Sequence, residues 1–286
     1  MKDSLGDRIK DQYETRTKYF LPRRTYTIIR LDGKAFHQLT KNMKRPFDED
    51  FVEIMDRTAQ ALCKEIQGCA FGYVQSDEIS LLLTDFTKTS TSAWYDGNIQ
   101  KIASVSASIA TAYFNHFRLL DYFNTSDLGQ RKKGVDRHFV DGTDVFNVPI
   151  DISDIFNYLP EVKDLGMFDS RVFTIPDPVE VVNYFIWRQK DAIRNSVSSV
   201  AQSLYSHKEL NGKNTDEMQE MIFEKGQNWN DIDPGFKRGR MVTKENYTIP
   251  GMAGEAAIRS RWVSNSAIWI TKNRDDFNEL IPIRGY

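Results

Sequence analysis

Asp32 followed by Gly33, and Asp77 followed by Glu78, are the residues of this 286-residue chain whose types and spacing best suit a chemical task. Magnesium takes one or two carboxylates and completes its shell with water and substrate phosphate, so a sparse acidic pair is a sufficient protein contribution. Two such ions about 4 Å apart clamp the attacking and leaving oxygens of an in-line phosphoryl transfer. Gly33 lets the backbone turn sharply and approach a ligand closely, which makes its carbonyl a further candidate ligand. Asp and Gly are also common turn residues, so on residue type alone these positions read equally as an ordinary turn and an ordinary polar hairpin tip.

The elements around them decide whether the two carboxylates can meet. Residues 26–31, Tyr-Thr-Ile-Ile-Arg-Leu, are rich in β-branched residues and stop at Asp32-Gly33, as a buried strand entering a tight turn does. Apolar residues at 51, 52, 54, 55, 59, 62, 63 and 66 mark one face of a helix over 48–66, stopped by Gly68. Residues 70–75 and 79–83 read as a β-hairpin with acidic residues at its tip. A helix with many small residues spans 98–118, and a last strand covers 171–175. This order is a βαββαβ unit, an α+β antiparallel sheet with helices on one face. It places the end of the first strand beside the hairpin tip, so Asp32 and Asp77 converge.

The rest of the chain is organised around that unit. Residues 4–20 have loose helical spacing, and 121–166 read as an insertion with no assigned secondary structure. A helix starts at Pro176-Asp177-Pro178 and runs to about 205, another spans 214–225, and 236–286 is rich in strand and loop. The division is a catalytic unit over 1–175 and a C-terminal helical and β extension over 176–286 packed on it.

Arg30-Leu-Asp-Gly-Lys-Ala-Phe-His37 followed by Tyr73-Val-Gln-Ser-Asp-Glu-Ile-Ser80 resembles the tRNA-His guanylyltransferase superfamily. Gln100-Lys-Ile-Ala-Ser104 with Ala107-Ser108, then Phe168-Asp-Ser-Arg171, then Trp187-Arg-Gln189 with Asp191, follow in the family's order. The resemblance implies a palm that runs backwards: ATP or GTP activates a 5′-monophosphorylated RNA, and the 3′-hydroxyl of an incoming nucleotide attacks the activated phosphate. It implies two Mg2+ ions held by Asp32, the Gly33 carbonyl and Asp77, with Glu78 supporting the cluster as a third catalytic residue. Asp32, Gly33, Lys34, Ala35, Phe36 and His37 would line the nucleotide with Ser76 and Asp77, Lys101 would meet a triphosphate, and Arg171, Arg188, Asn195, Lys237 and Arg238 would contact RNA. Cationic side chains suit phosphate contacts, since they dominate nucleic-acid affinity.

Eukaryotic members carry His-Ile-Asn-Asn-Leu-Tyr-Asn where this chain has Ile193-Arg-Asn-Ser-Val-Ser-Ser199, keeping only Asn195. The chain is therefore more similar to the guanylyltransferase-like proteins of bacteria, archaea and some protists, which rebuild 5′-truncated tRNAs by copying the opposite acceptor strand. The expected partners are tRNA, ATP, GTP and other nucleoside triphosphates, in a homotetramer. Addition of the extra guanosine to histidine tRNA is the alternative activity, and a non-catalytic RNA-binding protein is the alternative class. A diguanylate-type cyclase would need a Gly-Gly-Asp-Glu-Phe-like hairpin, which Gln75-Ser-Asp-Glu78 is not.

Composition narrows the field further. Lys and Arg total 38 against 40 Asp and Glu, so RNA contacts must be local rather than a global basic field. No apolar run approaches the ~20 residues of a bilayer span, and the charged start lacks a secretory h-region, so a cytoplasmic location is expected. Cys63 and Cys69 lack the spacing of zinc sites and read as reduced core residues.

Overall fold

The computed structural model describes residues 3–125, 139–140, 143–144, 164–250 and 256–283. Most of the expected insertion over 121–166 lies outside them. In chain order the first elements are α1 (Ser4–Ile9), β1 (Tyr26–Gly33), α2 (Phe36–Leu39), α3 (Glu49–Glu65), β2 (Cys69–Gln75), β3 (Glu78–Leu83) and α4 (Ile99–Thr125). There follow β4 (Phe139–Val140), β5 (Thr143–Asp144), β6 (Phe168–Ile175), α5 (Pro178–Leu204), α6 (His207–Leu210) and α7 (Thr215–Glu224). The last are α8 (Pro234–Arg238), β7 (Arg240–Pro250), β8 (Ala256–Ser266) and α9 (Arg274–Asn278).

Six strands form one antiparallel sheet in the order β6-β1-β3-β2-β7-β8. The expected βαββαβ unit is realised by β1, α3, β2, β3, α4 and β6, with α3 and α4 on one face. Ile29, Leu31, Val74, Ile79, Leu81 and Leu83 point into that face and meet Ile54, Met55, Leu62, Ile102 and Phe114 of the helices. The C-terminal extension covers the other face: Tyr26, Ile28, Phe71, Tyr73 and Leu82 pack under Val181, Val182 and Phe185 of α5 and under Phe277 of α9. Because β3 is central and covered on both sides, all six of its residues are buried, and it reads as a run rather than an alternation.

Local chemistry sets the element ends. The Asp48 carboxylate caps α3 by accepting from Phe51 N, and Asp177 caps α5 through Val179 N with Pro178 at its first position. The chain after α1 passes through a π turn and a 3-10 turn, Lys10–Glu14 and Thr15–Thr17, instead of continuing as one helix. Leu5, Ile9, Tyr13, Tyr19 and Phe20, whose loose spacing suggested a helix over 4–20, are all exposed. Without a docked face, periodicity alone does not hold a regular helix together.

β7 joins the sheet through pairs running from Gly72↔Val242 to Val74↔Arg240. Its root is tied to α3 by Asp56, which accepts from Arg240 Nε at 2.5 Å and from Ser264 Oγ at 2.8 Å. Arg240 is buried, so removing its counter-charge leaves it uncompensated. Asp56→Ala is expected to lower stability by about 2–4 kcal/mol in urea unfolding, with the transition remaining cooperative.

Candidate active site

The register of the sheet builds the site. Asp32 of β1 lies opposite Glu78 of β3 and opposite Asp169 of β6, while Glu78 also faces Gln75 of β2. Directly opposed residues point to the same side of a sheet, so these side chains share the face under α5. Arg30, Ser80 and Arg171 form the row behind them. This face is apolar at Tyr26 and Ile28 and becomes charged at Arg30 and Asp32, where β1 leaves the core. The two-residue turn Ser76-Asp77 closes the hairpin with Ser76 at φ 46°, and the Gly33 N–H donates to the Asp77 carbonyl at 3.1 Å. That bond places Asp32 and Asp77 side by side at a cavity of about 290 Å³ lined also by Arg30, Gln75, Arg188, Asp191 and Asn195.

Charge is distributed unevenly in this cavity. Arg188, 6% exposed, grips Glu78 with both arms, Nε to Oε1 at 2.7 Å and Nη2 to Oε2 at 2.8 Å. The same Nη2 donates to Asp191 Oδ2 at 2.8 Å, and Asp191 also takes Arg194 and Asn195. Burial raises the Glu78 carboxyl above its ordinary range although the guanidinium works against it. Burial likewise raises the Asp77 carboxyl, its own backbone N–H opposes this, and the neighbouring Asp32 charge adds to the rise. The cation nearest Asp32 is the half-exposed Arg171, whose Nη2 stands 3.9 Å from Oδ2 and 3.6 Å from Asp169.

Among the described residues no group of three or more His, Cys, Asp or Glu side chains is arranged as a metal cage. The donors at hand are the two carboxylates Asp32 and Asp77, a hard-oxygen pair that fits Mg2+ and leaves its other positions to water and phosphate. Glu78, neutralised by Arg188, stands behind them and holds the end of β3 to α5.

Several expected contacts are placed differently. Phe36 is buried among Phe51, Phe114 and Phe168, and its ring lies where a Cβ on Gly33 would approach it at 2.5 Å. Its side chain therefore fills the core beneath the turn, and Gly33 is needed there for space. Lys34 and Ala35 are exposed, with Ala35 at φ 56°. Lys101 is not brought to the carboxylates within this chain. Phe168 N donates to Thr111 Oγ1 at the level of Gly33, and Lys101 lies ten residues earlier, about 15 Å along α4. Its Nζ sits 5.8 Å from the Tyr95 ring instead.

Of the expected RNA contacts, Arg171 and Asn195 are exposed at the cavity, whereas Arg188 is consumed by two carboxylates. Lys237 is buried, with Nζ donating to the Asn230 carbonyl at 2.6 Å and lying over Trp229; burial lowers its pKa. Arg238 packs over Trp269 at 5.4 Å while its carbonyl accepts from the Tyr73 hydroxyl. These two residues fasten the root of β7 rather than present charge to a ligand.

A second cavity of about 330 Å³ adjoins the first, sharing Gln75, Ser76 and Asn195, and is lined by His37, Lys44, Arg45, Asp48 and the stacked pair Phe47 and Phe236. Arg30, Gln75, Asp169 and Asp191 belong to the site although residue type alone did not mark them. Alternation along β1 puts Arg30 on the face of Asp32, which was the available signal for it.

The residues 6–176 match the family model "Thg1: tRNAHis guanylyltransferase". This is more than half of the chain. The chain belongs to the tRNA(His) guanylyltransferase family. Like other members it is a nucleotidyltransferase. A bacterial tRNA(His) guanylyltransferase-like protein solved in complex with ATP is 36% identical and superposes with a TM-score of 0.75 over 98% of this chain and 99% of that one. A bacterial guanylyltransferase-like protein in complex with GTP is 35% identical, with a TM-score of 0.71 over 98% and 100%. The Saccharomyces cerevisiae tRNA(His) guanylyltransferase is 28% identical over 82% of this chain and 88% of its own. The family motifs coincide with the site's walls: Asp32-Gly33 ends β1, Asp77-Glu78 turns the hairpin, and Trp187-Arg-Gln189 lies on α5.

Arg188 and Arg171 differ in what they hold, so their removal should differ. Arg188→Met removes the cation paired with buried Glu78 and one of the partners of Asp191, and is expected to cost about 3–5 kcal/mol of stability. Arg171→Ala, at a solvent-exposed pair, is expected to change stability by less than about 1 kcal/mol. Urea unfolding of both variants measures the contrast.

Proposed function

We propose that this protein rebuilds the 5′ end of truncated tRNA by template-dependent addition of nucleotides in the 3′-to-5′ direction. The observation that carries this reading is the convergence of Asp32 and Asp77, through the β1–β3 pairing, on a cavity that bears Arg171 and adjoins a second cavity across Gln75, Ser76 and Asn195. A reaction that joins a nucleotide to a long RNA needs one pocket and one open approach on either side of the reacting phosphate. The two bacterial relatives in complex with ATP and with GTP support nucleotide use.

Asp32, the Gly33 carbonyl and Asp77 would hold two Mg2+ ions, which supply charge neutralisation at the phosphoryl oxygens and stabilise the attacking oxygen. In the first step an oxygen of the RNA 5′-monophosphate attacks the α-phosphorus of ATP, expelling pyrophosphate and leaving a 5′-adenylylated end. In the second, the 3′-hydroxyl of the incoming nucleotide attacks the 5′-phosphorus and AMP leaves. His37, Ser76 and the backbone of 33–37 orient the nucleotide at the adjoining cavity, and Lys44 and Arg45 on its wall are suited to phosphate. Asn195, on the wall common to both cavities, can donate to either substrate. Arg171 at the rim meets RNA phosphate. Selection among the four nucleotides comes from pairing with the 3′ strand, so no base-specific pocket is required.

Addition of an extra guanosine to histidine tRNA is the second reading, favoured by the description of the matching family model. The test incubates 5′-monophosphorylated tRNA lacking its first nucleotide with ATP, Mg2+ and each nucleoside triphosphate in turn. Metal-dependent addition of the templated nucleotide alone is expected. Asp32→Ala and Asp77→Ala should each lower the rate by at least about 10²-fold, and chelation of Mg2+ should abolish it. Guanosine added to intact histidine tRNA without regard to template would replace this reading with the second one.

A further inference from the structure

Trp187 is 52% exposed on α5, at the edge of the carboxylate cavity, although the residues around it on the same helix pack into the core. Its ring is set from three sides. The Arg188 guanidinium lies 4.3 Å from the ring centroid, Arg30 lies 5.6 Å away, and the Tyr184 ring meets it edge-on at 5.9 Å. Arg188 is locked by Glu78 and Asp191, and Tyr184 is fixed by its hydroxyl contact with Ser80 at 2.7 Å, so the supports of the indole are rigid.

The position is directional. Tyr184, Arg188, Asp191 and Asn195 follow helical spacing toward the sheet and the two cavities, while Trp187 leans toward Arg30 of β1. Opposite Arg30 on β6 is Arg171, exposed and within 3.9 Å of Asp32. The Nε of Arg30 is buried without a hydrogen-bond partner, an unspent donor group beside this shelf. The cavity with His37 and Asp48 adjoins the Ser76 and Asn195 end of the carboxylate cavity, whereas Arg30 and Arg171 line its β1–β6 side, with the Trp187 ring against Arg30. A flat aromatic surface flanked by guanidinium groups suits a nucleotide, the base on the ring and phosphate beside it.

We propose that Trp187 is the stacking platform for the 5′-terminal base of the RNA, holding that nucleotide so that its 5′-phosphate reaches Asp32 and Asp77. This rests on the reading of the chain as a 5′-end polymerase. The cavity of about 330 Å³ has room for the incoming nucleotide, and the exposed Trp187 shelf is the side from which a long chain can enter. Trp187 is a positioning residue: stacking contributes affinity for RNA and leaves the chemistry to the carboxylates.

The test compares wild type, Trp187→Ala and Trp187→Phe in equilibrium binding of 5′-monophosphorylated tRNA lacking its first nucleotide, and in the KM for that tRNA and for ATP. Trp187→Ala is expected to weaken tRNA binding by about tenfold or more, leave the KM for ATP within about twofold, and keep the wild-type melting temperature. Trp187→Phe should recover most of the affinity. A tRNA with an abasic 5′-terminal nucleotide should bind wild type about as weakly as the normal tRNA binds Trp187→Ala, with no further loss when the two changes are combined. Unchanged tRNA affinity in Trp187→Ala, a rise in the KM for ATP in place of that for tRNA, or an abasic penalty that persists in full in the variant would each overturn the proposal. Because the binding arm needs no turnover, a wild-type protein that binds tRNA yet adds no nucleotide would refute the polymerase reading alone.

Discussion

Leu31 lies opposite Ile79 and Asp32 opposite Glu78, and a slip of that pairing by one residue would turn Asp32 toward α3 while bringing Leu31 to the cavity. The register is held from both faces. Ile29 and Leu31 are buried against α3 and α4, and Ile28 is buried under α5, so any shift would exchange apolar and polar side chains in two cores at once. Burying a carboxylate without a partner costs several kcal/mol, which makes the alternative register inaccessible. Everything chemical about the molecule follows from this pairing, because the hairpin turn then delivers Asp77 beside Asp32 through the bond from Gly33 N to the Asp77 carbonyl.

The second requirement is electrostatic. Asp32, Asp77, Glu78, Asp169 and Asp191 crowd one end of the sheet, and their mutual repulsion must be relieved. Arg188 does so for two of them at once, and by tying β3 to α5 it fastens the C-terminal extension across the catalytic face. Among the described residues the ion-pair partner of Asp32 is the looser Arg171, 3.9 Å away, so Asp32 and Asp77 retain their capacity for a cation. The planar fork of arginine matters here, since a lysine could not satisfy both oxygens of Glu78 and reach Asp191 together.

The C-terminal extension thus has a part in the site as well as in the core. It supplies Arg188, Asp191 and Asn195 from α5, and Phe236 of α8 stacks on Phe47 at the wall of the adjoining cavity. Lys237 and Arg238, which look like surface cations in the chain, lie over Trp229 and Trp269, and the Arg238 backbone carbonyl accepts from the Tyr73 hydroxyl.

How much was legible in the chain depends on the range of the interaction. The strand ending at Asp32-Gly33, the helix capped by Asp48 and the hairpin tipped by Asp77 were readable, because propensity, periodicity and capping act over a few residues. From their order the convergence of two carboxylates followed, as did the βαββαβ sheet. What charged residues at 101, 188, 237 and 238 do was not readable, since it depends on what each side chain meets in the folded chain, as Arg188 meets Glu78 from 110 positions away, or on which end of a helix lies near the turn. The fate of Phe36 was hidden for the same reason: whether an aromatic a few residues after Asp32 faces the cavity or the core is settled by where Phe114 and Phe168 come to rest. The sequence by itself determined which carboxylates meet, through local elements with one compatible pairing; only the tertiary structure decided which cations remain free, because burial and long-range pairing assign charge.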